Sequence, residues 1–362
     1  VAGLGIPQSA VRDVAEANAT CEIEKLNRII TVTKKIVWFT ALLGAVVTIV
    51  FARVLSDVSF NNRDHIVAFI FLSMAVFLSI VSEGELAILK GMRRLRDLAK
   101  ASVYGSSLGL LISVPLYYFG GFAGIVPSLI LAAGFSALIA WLYVRKVNYV
   151  RLVMENRTVF TDGKGMIKMG LAFMYLSLFG MLSDFIIRAF ISHQSGLDEV
   201  GIFQAGSTIV VAYFGIITTA LTTDYYPRIS AIHSDNQALV IEVNRQAEVG
   251  LLLMGPLVVL FMFAMPLFIR ILYTEMFLEY IQYAIFSILI TIYSNTMGMI
   301  LLAKQKSSIF VYTTTIMNVL SIVFNLVAYY YWGLTGLGIS SIIVAVFITD
   351  VRHYEKSISY CF

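Results

Sequence analysis

The sequence predicts an all-α membrane protein that crosses the bilayer several times. Hydrophobic residues make up 59% of the chain and charged residues 13%, whereas soluble domains contain about 45–50% and about 25%, respectively. The charged residues are also segregated, so that long stretches contain none. A helix needs about 20 such residues to cross a hydrocarbon core about 30 Å thick. These observations exclude a water-soluble globule and indicate a polytopic membrane protein.

The uncharged stretches in the first part of the chain predict four spans. Residues 36–52 and 66–82 each have the length of one span. Residues 101–144 form an uncharged run about twice as long as one span requires, and Gly120 and Gly121 lie near its middle. We therefore expect this run to fold as a helical hairpin, in which two spans are joined by a glycine-rich turn.

The remainder of the chain predicts six more spans, which brings the total to ten. The first of them covers residues 169–191 and is interrupted by Asp184 and Arg188. Three further stretches have the length of single spans: 200–223, 249–269 and 280–303. Residues 307–349 form a second run of double length with a glycine-rich turn in the middle. This run predicts a second helical hairpin.

The basic residues predict which side of the membrane each loop faces. When alternate loops are assigned to opposite sides, all but four of the 26 Lys and Arg residues fall on one side. The exceptions are Arg53, Arg63, Arg188 and Arg270. Because cytoplasmic loops collect Lys and Arg, we expect both termini to be cytoplasmic. The net charge of +4 therefore reflects membrane topology and contact with lipid head groups, and it does not indicate a nucleic-acid partner.

The two predicted hairpin turns resemble each other and indicate an internal repeat. The aromatic triplets 117–119 and 330–332 are each followed, allowing one gap, by Gly-x-x-Gly and an aliphatic residue. The cytoplasmic segments agree at a similar offset, because Pro7 and Pro227 stand at about the same distance before an Asn-Arg pair. The repeat length is therefore roughly 212 to 220 residues.

The repeat predicts the organisation of the whole fold. Six spans separate equivalent points, and because six is an even number the two halves have the same orientation in the membrane. We expect two parallel six-helix bundles, the first including residues 1–150 and the second residues 151–362. The first half then begins at its third span, so we expect that two helices of a twelve-helix protein precede Val1.

Ionisable residues in the spans are costly to bury and are therefore candidates for function. Asp184 and Arg188 are four residues apart and share a helix face. They could bind an anionic head group or couple transport to an ion, or Arg188 could extend to the membrane interface with Asp184 as its partner. Glu83 and Glu85 close the cytoplasmic end of their span shortly before Lys90. A cytoplasmic gate and a simple balance of charge at the helix end are both open interpretations.

The sequence gives no sign of enzymatic chemistry. Motifs for nucleotide hydrolysis, dinucleotide binding and nucleophilic catalysis are absent from it. The two cysteines lie outside the apolar stretches and the four histidines are far apart, which implies neither a disulfide framework nor a metal site. We therefore expect a protein without cofactor or metal that is not an enzyme.

Several stretches of the chain resemble one known family. They are residues 3–5, 9–17, 88–99, 115–118, 200–206 and 223–230. They extend over nearly the whole chain and are similar to the bacterial polysaccharide flippases of the multidrug, oligosaccharidyl-lipid and polysaccharide exporter (MOP) superfamily, most of all to the O-antigen translocase branch. Because they lie mainly in cytoplasmic loops and at helix ends, they indicate the branch better than the substrate.

The resemblance implies a fold of two six-helix bundles around a central cavity that opens alternately to the two sides. It also implies a substrate, which is an undecaprenyl-pyrophosphate-linked oligosaccharide such as the O-antigen unit of lipopolysaccharide. The substrate would be moved from the cytoplasmic to the periplasmic leaflet of the bacterial inner membrane. A polysaccharide polymerase and assembly proteins are further expected partners.

Five residues are the candidates for these roles. Arg12 and Arg188 are the candidates for contact with the anionic part of the substrate. Asp184, Glu83 and Lys90 are the candidates for coupling or gating. A cationic cavity could replace the hydration that a pyrophosphate loses inside the membrane.

Two other functions are open alternatives. A cation-coupled antiporter of drugs or metabolites from the same superfamily would use Asp184 as its coupling carboxylate. A membrane enzyme that joins or trims glycans would be expected to carry large periplasmic loops, whereas the predicted periplasmic loops have about ten residues or fewer. The enzyme is therefore the weaker of the two alternatives.

Overall fold

The computed structural model describes residues 3–20, 22–60, 66–147, 149–150, 152–272, 278–304 and 307–361. Within these ranges, all regular secondary structure is helical. The chain divides into two compact units, Val1–Met174 and Tyr175–Phe362. The boundary predicted between residues 150 and 151 separates the two halves of the sequence repeat, which is a different division from these compact units. It stays a prediction.

The first unit contains seven complete α-helices among its described residues. They are α1 (Ile6–Ala19), α2 (Ile23–Val50), α3 (Ala52–Phe60), α4 (Ile66–Gly91), α5 (Leu95–Gly120), α6 (Ile125–Arg145) and α7 (Asn156–Asp162). A short 3₁₀ turn, Gly121–Gly124, joins α5 to α6, and α8 (Lys164–Ser195) begins in this unit. Pro7 lies in the first turn of α1. Backbone N–H groups in the first turn have no partner within the helix, so the N–H that proline lacks costs no hydrogen bond.

The core of the first unit forms where α2, α4 and α6 meet. Ile30, Ile88, Leu89 and Val144 are fully buried there. The helices approach closely because small residues lie between them: a Cβ on Gly84 would be 2.4 Å from a methyl carbon of Val37. Close packing through small residues is typical of helices in membranes, where burial of apolar surface does not drive association.

The second unit is built from the rest of α8 and four further helices. They are α9 (Leu197–Ala231), α10 (Asn236–Leu272), α11 (Leu278–Ala303) and α12 (Ser307–Cys361). The helix α11 packs against α9, α10 and α12, and its residues Ile281 and Ile285 are fully buried in the core of the unit. It is therefore the central helix of the second unit.

The predicted hairpin in the first unit is confirmed. Gly121 turns the chain with φ 51° and ψ −132°, a backbone conformation that is essentially restricted to glycine. The two arms then pack side by side, because a Cβ on Gly105 would be 3.1 Å from Ser136 and one on Gly109 would be 3.1 Å from Ala132. The helices α5 and α6 are thus antiparallel.

The hairpin in the second unit is confirmed in the same way. Gly333 has φ 58° and ψ −142° and interrupts α12. The Ser340 hydroxyl donates a hydrogen bond to Asn325 across the two arms. Fifteen residues of continuous helix would separate these side chains by about 22 Å, so the arms must be antiparallel.

The two turns share a geometry at positions that are 212 residues apart, 121 and 333. In both turns, a second glycine lies against a backbone carbonyl eight residues earlier. A Cβ on Gly124 would be 2.1 Å from the oxygen of Leu116, and a Cβ on Gly336 would be 2.1 Å from the oxygen of Ala328. The structure therefore supports the repeat at the turns, at the shorter of the predicted repeat lengths.

The helices are those of a multi-pass membrane protein. Eight helical segments among the described residues are long and apolar enough to cross a membrane: Ile23–Val50, Ile66–Gly91, Leu95–Arg145, Lys164–Ser195, Leu197–Ala231, Asn236–Met265, Tyr280–Ala303 and Ser308–Arg352. Two of them contain the hairpins. The ten spans, the layout of two six-helix bundles and the cytoplasmic termini stay predictions. Arg63 and the side chain of Arg270, which entered the charge count, lie outside the described residues.

Candidate functional site

Arg12, a predicted contact for the anionic substrate, is buried in α1 with only 2% of its surface exposed. Its guanidinium lies 2.8 Å from Asp13 and 3.0 Å from Glu16. Burial raises the pKa of the Asp13 carboxyl, and the positive charge of Arg12 offsets part of this rise. Since two carboxylates already surround Arg12, an anionic ligand would have to compete with them.

The two carboxylates at the end of α4 have different surroundings. Glu83 is exposed, whereas Glu85 is buried and lies 3.0 Å from the amine of Lys34. Lys90 is half-buried near the end of the same helix. No ion pair joins Glu83 to Lys90 in the described part of the chain. Their role in gating stays a prediction, and the structure adds Lys34 and Glu85 as a charged pair nearby.

An open pocket of about 1000 Å³ lies beside this pair, within the first unit. Three helices form its walls, and each contributes residues from one face at helical spacing. The residues are Thr31, Lys34, Lys35, Ile36, Trp38 and Phe39 on α2, Leu78, Val81 and Glu85 on α4, and Gly134, Ala137, Leu138 and Trp141 on α6. Tyr149, which follows α6, and Val159 and Phe160 of α7 complete the lining.

The two lysines of the pocket are held by different partners. Lys34 pairs with Glu85, and its amine also lies 5.1 Å from the centre of the Tyr149 ring, where a cation–π contact stabilises it. Lys35 donates a hydrogen bond to the backbone carbonyl of Met154, 2.5 Å away. The pocket thus carries two positive charges and one negative charge among mostly apolar side chains.

Asp184 and Arg188 are brought together in α8, as predicted. Their closest atoms are 3.6 Å apart, and within the second unit 69% of the Asp184 side chain and 42% of the Arg188 side chain are exposed. At this distance the pair is an ion pair without a strong hydrogen bond. Both side chains are therefore partly exposed in that unit.

A second arginine cluster, which was not predicted from the sequence, forms around the partly buried Arg228. This residue pairs with Asp224 four residues earlier and with Glu242 on α10. Arg12 and Arg228 stand 15 and 16 residues before Asn27 and Asn244, respectively. Each predicted half of the repeat therefore has an arginine held by two carboxylates at a similar position.

Comparison with known proteins identifies the family. The model of the polysaccharide biosynthesis protein family matches residues 1–233, which is more than half of the chain. The chain belongs to this family. The resemblance to a polysaccharide family that was predicted from the sequence is thereby confirmed.

The curated relatives of this family member include two flippases. The Lipid III flippases of Escherichia coli (strain K12) and Shigella flexneri are each 24% identical to it over 239 residues. The alignment covers 64% of this chain and 56% of each flippase. The chain thus matches little more than half the length of these relatives.

Solved structures of MOP superfamily transporters share the fold. A transporter of this superfamily from Pyrococcus furiosus superposes with a TM-score of 0.81 at 14% identity, over 99% of this chain and 84% of that one. An outward-facing multidrug resistance transporter of the MATE family gives 0.78 at 17% identity, with the same coverage. At these identities the likeness shows the fold alone. The prediction that this chain is not an enzyme agrees with these relatives, which are flippases and transporters.

The pocket was not predicted from the sequence, although the residues on one of its helices have a recognisable pattern. Lys34 and Lys35 stand immediately before the apolar stretch 36–52, and Trp38 follows within one helical turn. These lysines were interpreted only as determinants of membrane orientation. Which faces of α2, α4 and α6 point at one another depends on tertiary packing, and the spacing within one helix does not contain that information.

Proposed function

We propose that this transporter flips an undecaprenyl-pyrophosphate-linked oligosaccharide, such as an O-antigen unit, from the cytoplasmic to the periplasmic leaflet of the bacterial inner membrane. The proposal rests on one observation, the alignment of 239 residues with flippases of lipid III. Alternating access and cytoplasmic termini are parts of the same proposal. Contacts with a polysaccharide polymerase and assembly proteins are also part of this proposal.

The physical need for such a protein is clear from the chemistry of the substrate. A pyrophosphate and several sugars cannot enter hydrocarbon, because each charged or polar group would lose its hydration without replacement. Arg188 is the better candidate for contact with the pyrophosphate, since 42% of its side chain is exposed in its unit. Arg12 is the second candidate, and its two carboxylates would hold it in place between transport events. Glu83, Lys90 and Asp184 are the candidates for gating or coupling.

The experiment is deletion of the gene in its host, followed by measurement of lipid-linked oligosaccharide on the inner leaflet. We expect the lipid-linked unit to accumulate there and surface polysaccharide to be lost. Complementation with the full-length gene should restore both, while a copy of the gene with a stop codon should restore neither. Unchanged levels in a host without a second flippase would reject the proposal.

A second candidate function is cation-coupled export of a drug or metabolite. It is favoured by the similarity in fold to multidrug resistance transporters of the MATE family and by the accessible carboxylate of Asp184. Dye efflux that is lost on Asp184→Asn while surface polysaccharide stays normal would establish this function. Efflux that is absent in both the wild type and the variant would remove it.

A further inference from the structure

The pocket of the first unit has a polar end and an apolar end. On α2, Lys34 precedes Trp38 by four residues, which is about 6 Å along the helix. On α4, Glu85 follows Leu78 by seven residues, which is about 10 Å. Lys34 and Glu85, which pair with each other, therefore lie at one level of the pocket, and Trp38 and Leu78 lie at another. This is the arrangement of polar and apolar parts in a lipid.

The polar end lacks one negative charge. Among the described residues that line the pocket, Lys34 and Lys35 contribute two amines and Glu85 the one carboxylate. Glu85 pairs with Lys34, while Lys35 is bound by a neutral backbone carbonyl of Met154. A positive charge without a negative partner is costly in a largely apolar site within a membrane. An anion between the two amines would lower that cost.

The apolar end is made of aromatic rings with exposed surfaces. Trp38 stacks edge-on against Phe77 at 5.3 Å, and Phe39 against Phe160 at 5.4 Å. In the unit, 55% of Trp38 is exposed. Trp141 lies nearer the charged level, where the guanidinium of Arg145 is 4.5 Å from the centre of its ring. Part of the 1000 Å³ pocket is therefore bordered by hydrocarbon-like surface. A small inorganic anion would leave this space to water, whereas a lipid chain would fill it.

We propose that this pocket binds one anionic lipid. Its phosphate lies between the amines of Lys34 and Lys35, and its hydrocarbon chain lies against Trp38 and Leu78. Glu85 competes with the phosphate for Lys34, so neutralising Glu85 strengthens lipid binding. The proposal goes beyond the proposed function, because its test measures binding to the purified chain and does not depend on which substrate is transported.

Tryptophan fluorescence provides a direct test. The chain has three tryptophans, and two of them, Trp38 and Trp141, line the pocket. In a Trp332→Phe background, the purified full chain in detergent is titrated with phosphatidylglycerol that carries brominated acyl chains. Phosphatidylcholine with the same brominated chains is the control lipid, because it has the same tail without net charge. Bromine quenches a tryptophan that it contacts.

We predict that the lysine variants and the glutamate variant change lipid binding in opposite directions. We expect quenching by the anionic lipid at a concentration roughly tenfold lower than by the zwitterionic lipid, the effect of about one charge-assisted contact. Lys34→Gln and Lys35→Gln should each raise the half-quenching concentration several-fold, whereas Glu85→Gln should lower it. Lys25→Gln is the matched control, because it removes an exposed lysine of the same helix outside the pocket.

Three outcomes would overturn the proposal. The first is equal quenching by the two lipids. The second is that Lys35→Gln binds the anionic lipid as tightly as the wild type. This variant keeps the Lys34–Glu85 pair, so it tests the pocket even if Lys34→Gln does not fold. The third is full recovery of fluorescence with excess inorganic pyrophosphate, which would show that the pocket prefers a free anion to a lipid.

Discussion

The side-chain oxygen of Asn27 accepts a hydrogen bond from the backbone N–H of Val150, 3.0 Å away and 123 residues later in the chain. Two further contacts follow along α2. The hydroxyl of Thr31 accepts a hydrogen bond from the N–H of Leu152 at 3.3 Å, and Arg28 donates to Asp162 at 2.7 Å. Val150 and Leu152, which lie between α6 and α7, and Asp162 of α7 are therefore held along one face of α2 by side chains from its first three turns.

Replacing Asn27 should loosen this connection. In Asn27→Leu, the N–H of Val150 loses its acceptor and the free energy of unfolding falls by about 1 kcal/mol. Limited proteolysis should then cut the segment 149–155 faster than in the wild type. Glu22→Ala, a change at an exposed residue just before the same helix, should leave the cleavage rate unchanged. Equal rates for the Asn27 variant and the wild type would show that the other contacts hold the segment alone.

The hairpin turns should not tolerate a methyl group at their second glycine. In Gly124→Ala or Gly336→Ala, the new Cβ would lie 2.1 Å from a backbone oxygen, and relief of such a clash costs about 1–3 kcal/mol. The matched control is Gly120→Ala, because a Cβ there meets nothing within 4 Å. Thermal unfolding in detergent should show a lower midpoint for the first two variants only. A normal midpoint for Gly124→Ala would contradict the described turn.

The buried carboxyl of Asp13 should make stability depend on pH. Burial raises its pKa above the ordinary value of 3.8, so the folded chain binds more protons than the unfolded chain between these two values. Stability from this group is therefore fully present below pH 3.8 and is lost as the pH rises through the folded pKa. The Asp13→Asn variant has no carboxyl group at this position, so its stability lacks this dependence on pH. The unfolding midpoint of the wild type relative to the variant should fall with rising pH and then become constant.

The control for Asp13 is Glu24→Gln, which removes an exposed carboxylate near the start of α2. The difference in midpoint between this variant and the wild type should not follow the Asp13 titration. A difference between the wild type and Asp13→Asn that rises with pH would mean that the ion pair with Arg12 outweighs the cost of burial.

Arg188 should be needed for transport if it contacts the anionic part of the substrate. Arg188→Ala should lower export roughly tenfold or more, because a charge-assisted hydrogen bond contributes about 1.5–3 kcal/mol. Arg188→Lys should retain part of the activity, since it keeps the charge but loses the planar fork. Arg245→Ala, at an exposed arginine of the same unit, should export normally. Full activity of Arg188→Ala would instead place this residue at the membrane interface as a structural anchor.

The hairpins could be predicted from the sequence because their signal is local. An uncharged run of double length with a glycine turn leaves few alternatives, and Gly121 and Gly333 adopt the backbone that only glycine tolerates. The start of α2 was less predictable. The span 36–52 marks the apolar part, whereas the helix begins at Ile23. Helical hydrogen bonding continues beyond the apolar stretch, so composition alone does not mark the end of a helix.

The functional residues could be predicted only in part. Asp184 and Arg188 were found because their spacing of four is a property of one helix. The difference between Glu83 and Glu85 was not predictable in that way. Two residues along a helix point about 200° apart, so one carboxylate faces Lys34 while the other is exposed. Which of the two faces inward is decided by the neighbouring helices.

The hairpin of α12 is tied at three heights. Arg352 donates a hydrogen bond to Thr314 at 3.0 Å near its open end, Ser340 bonds to Asn325 further along, and Gly336 lies against the backbone near its tip. A helical hairpin whose two arms are held together at the open end, in the middle and at the tip resists bending. If this part of the chain moves during function, the two arms of α12 therefore move together, and the bending occurs outside the hairpin.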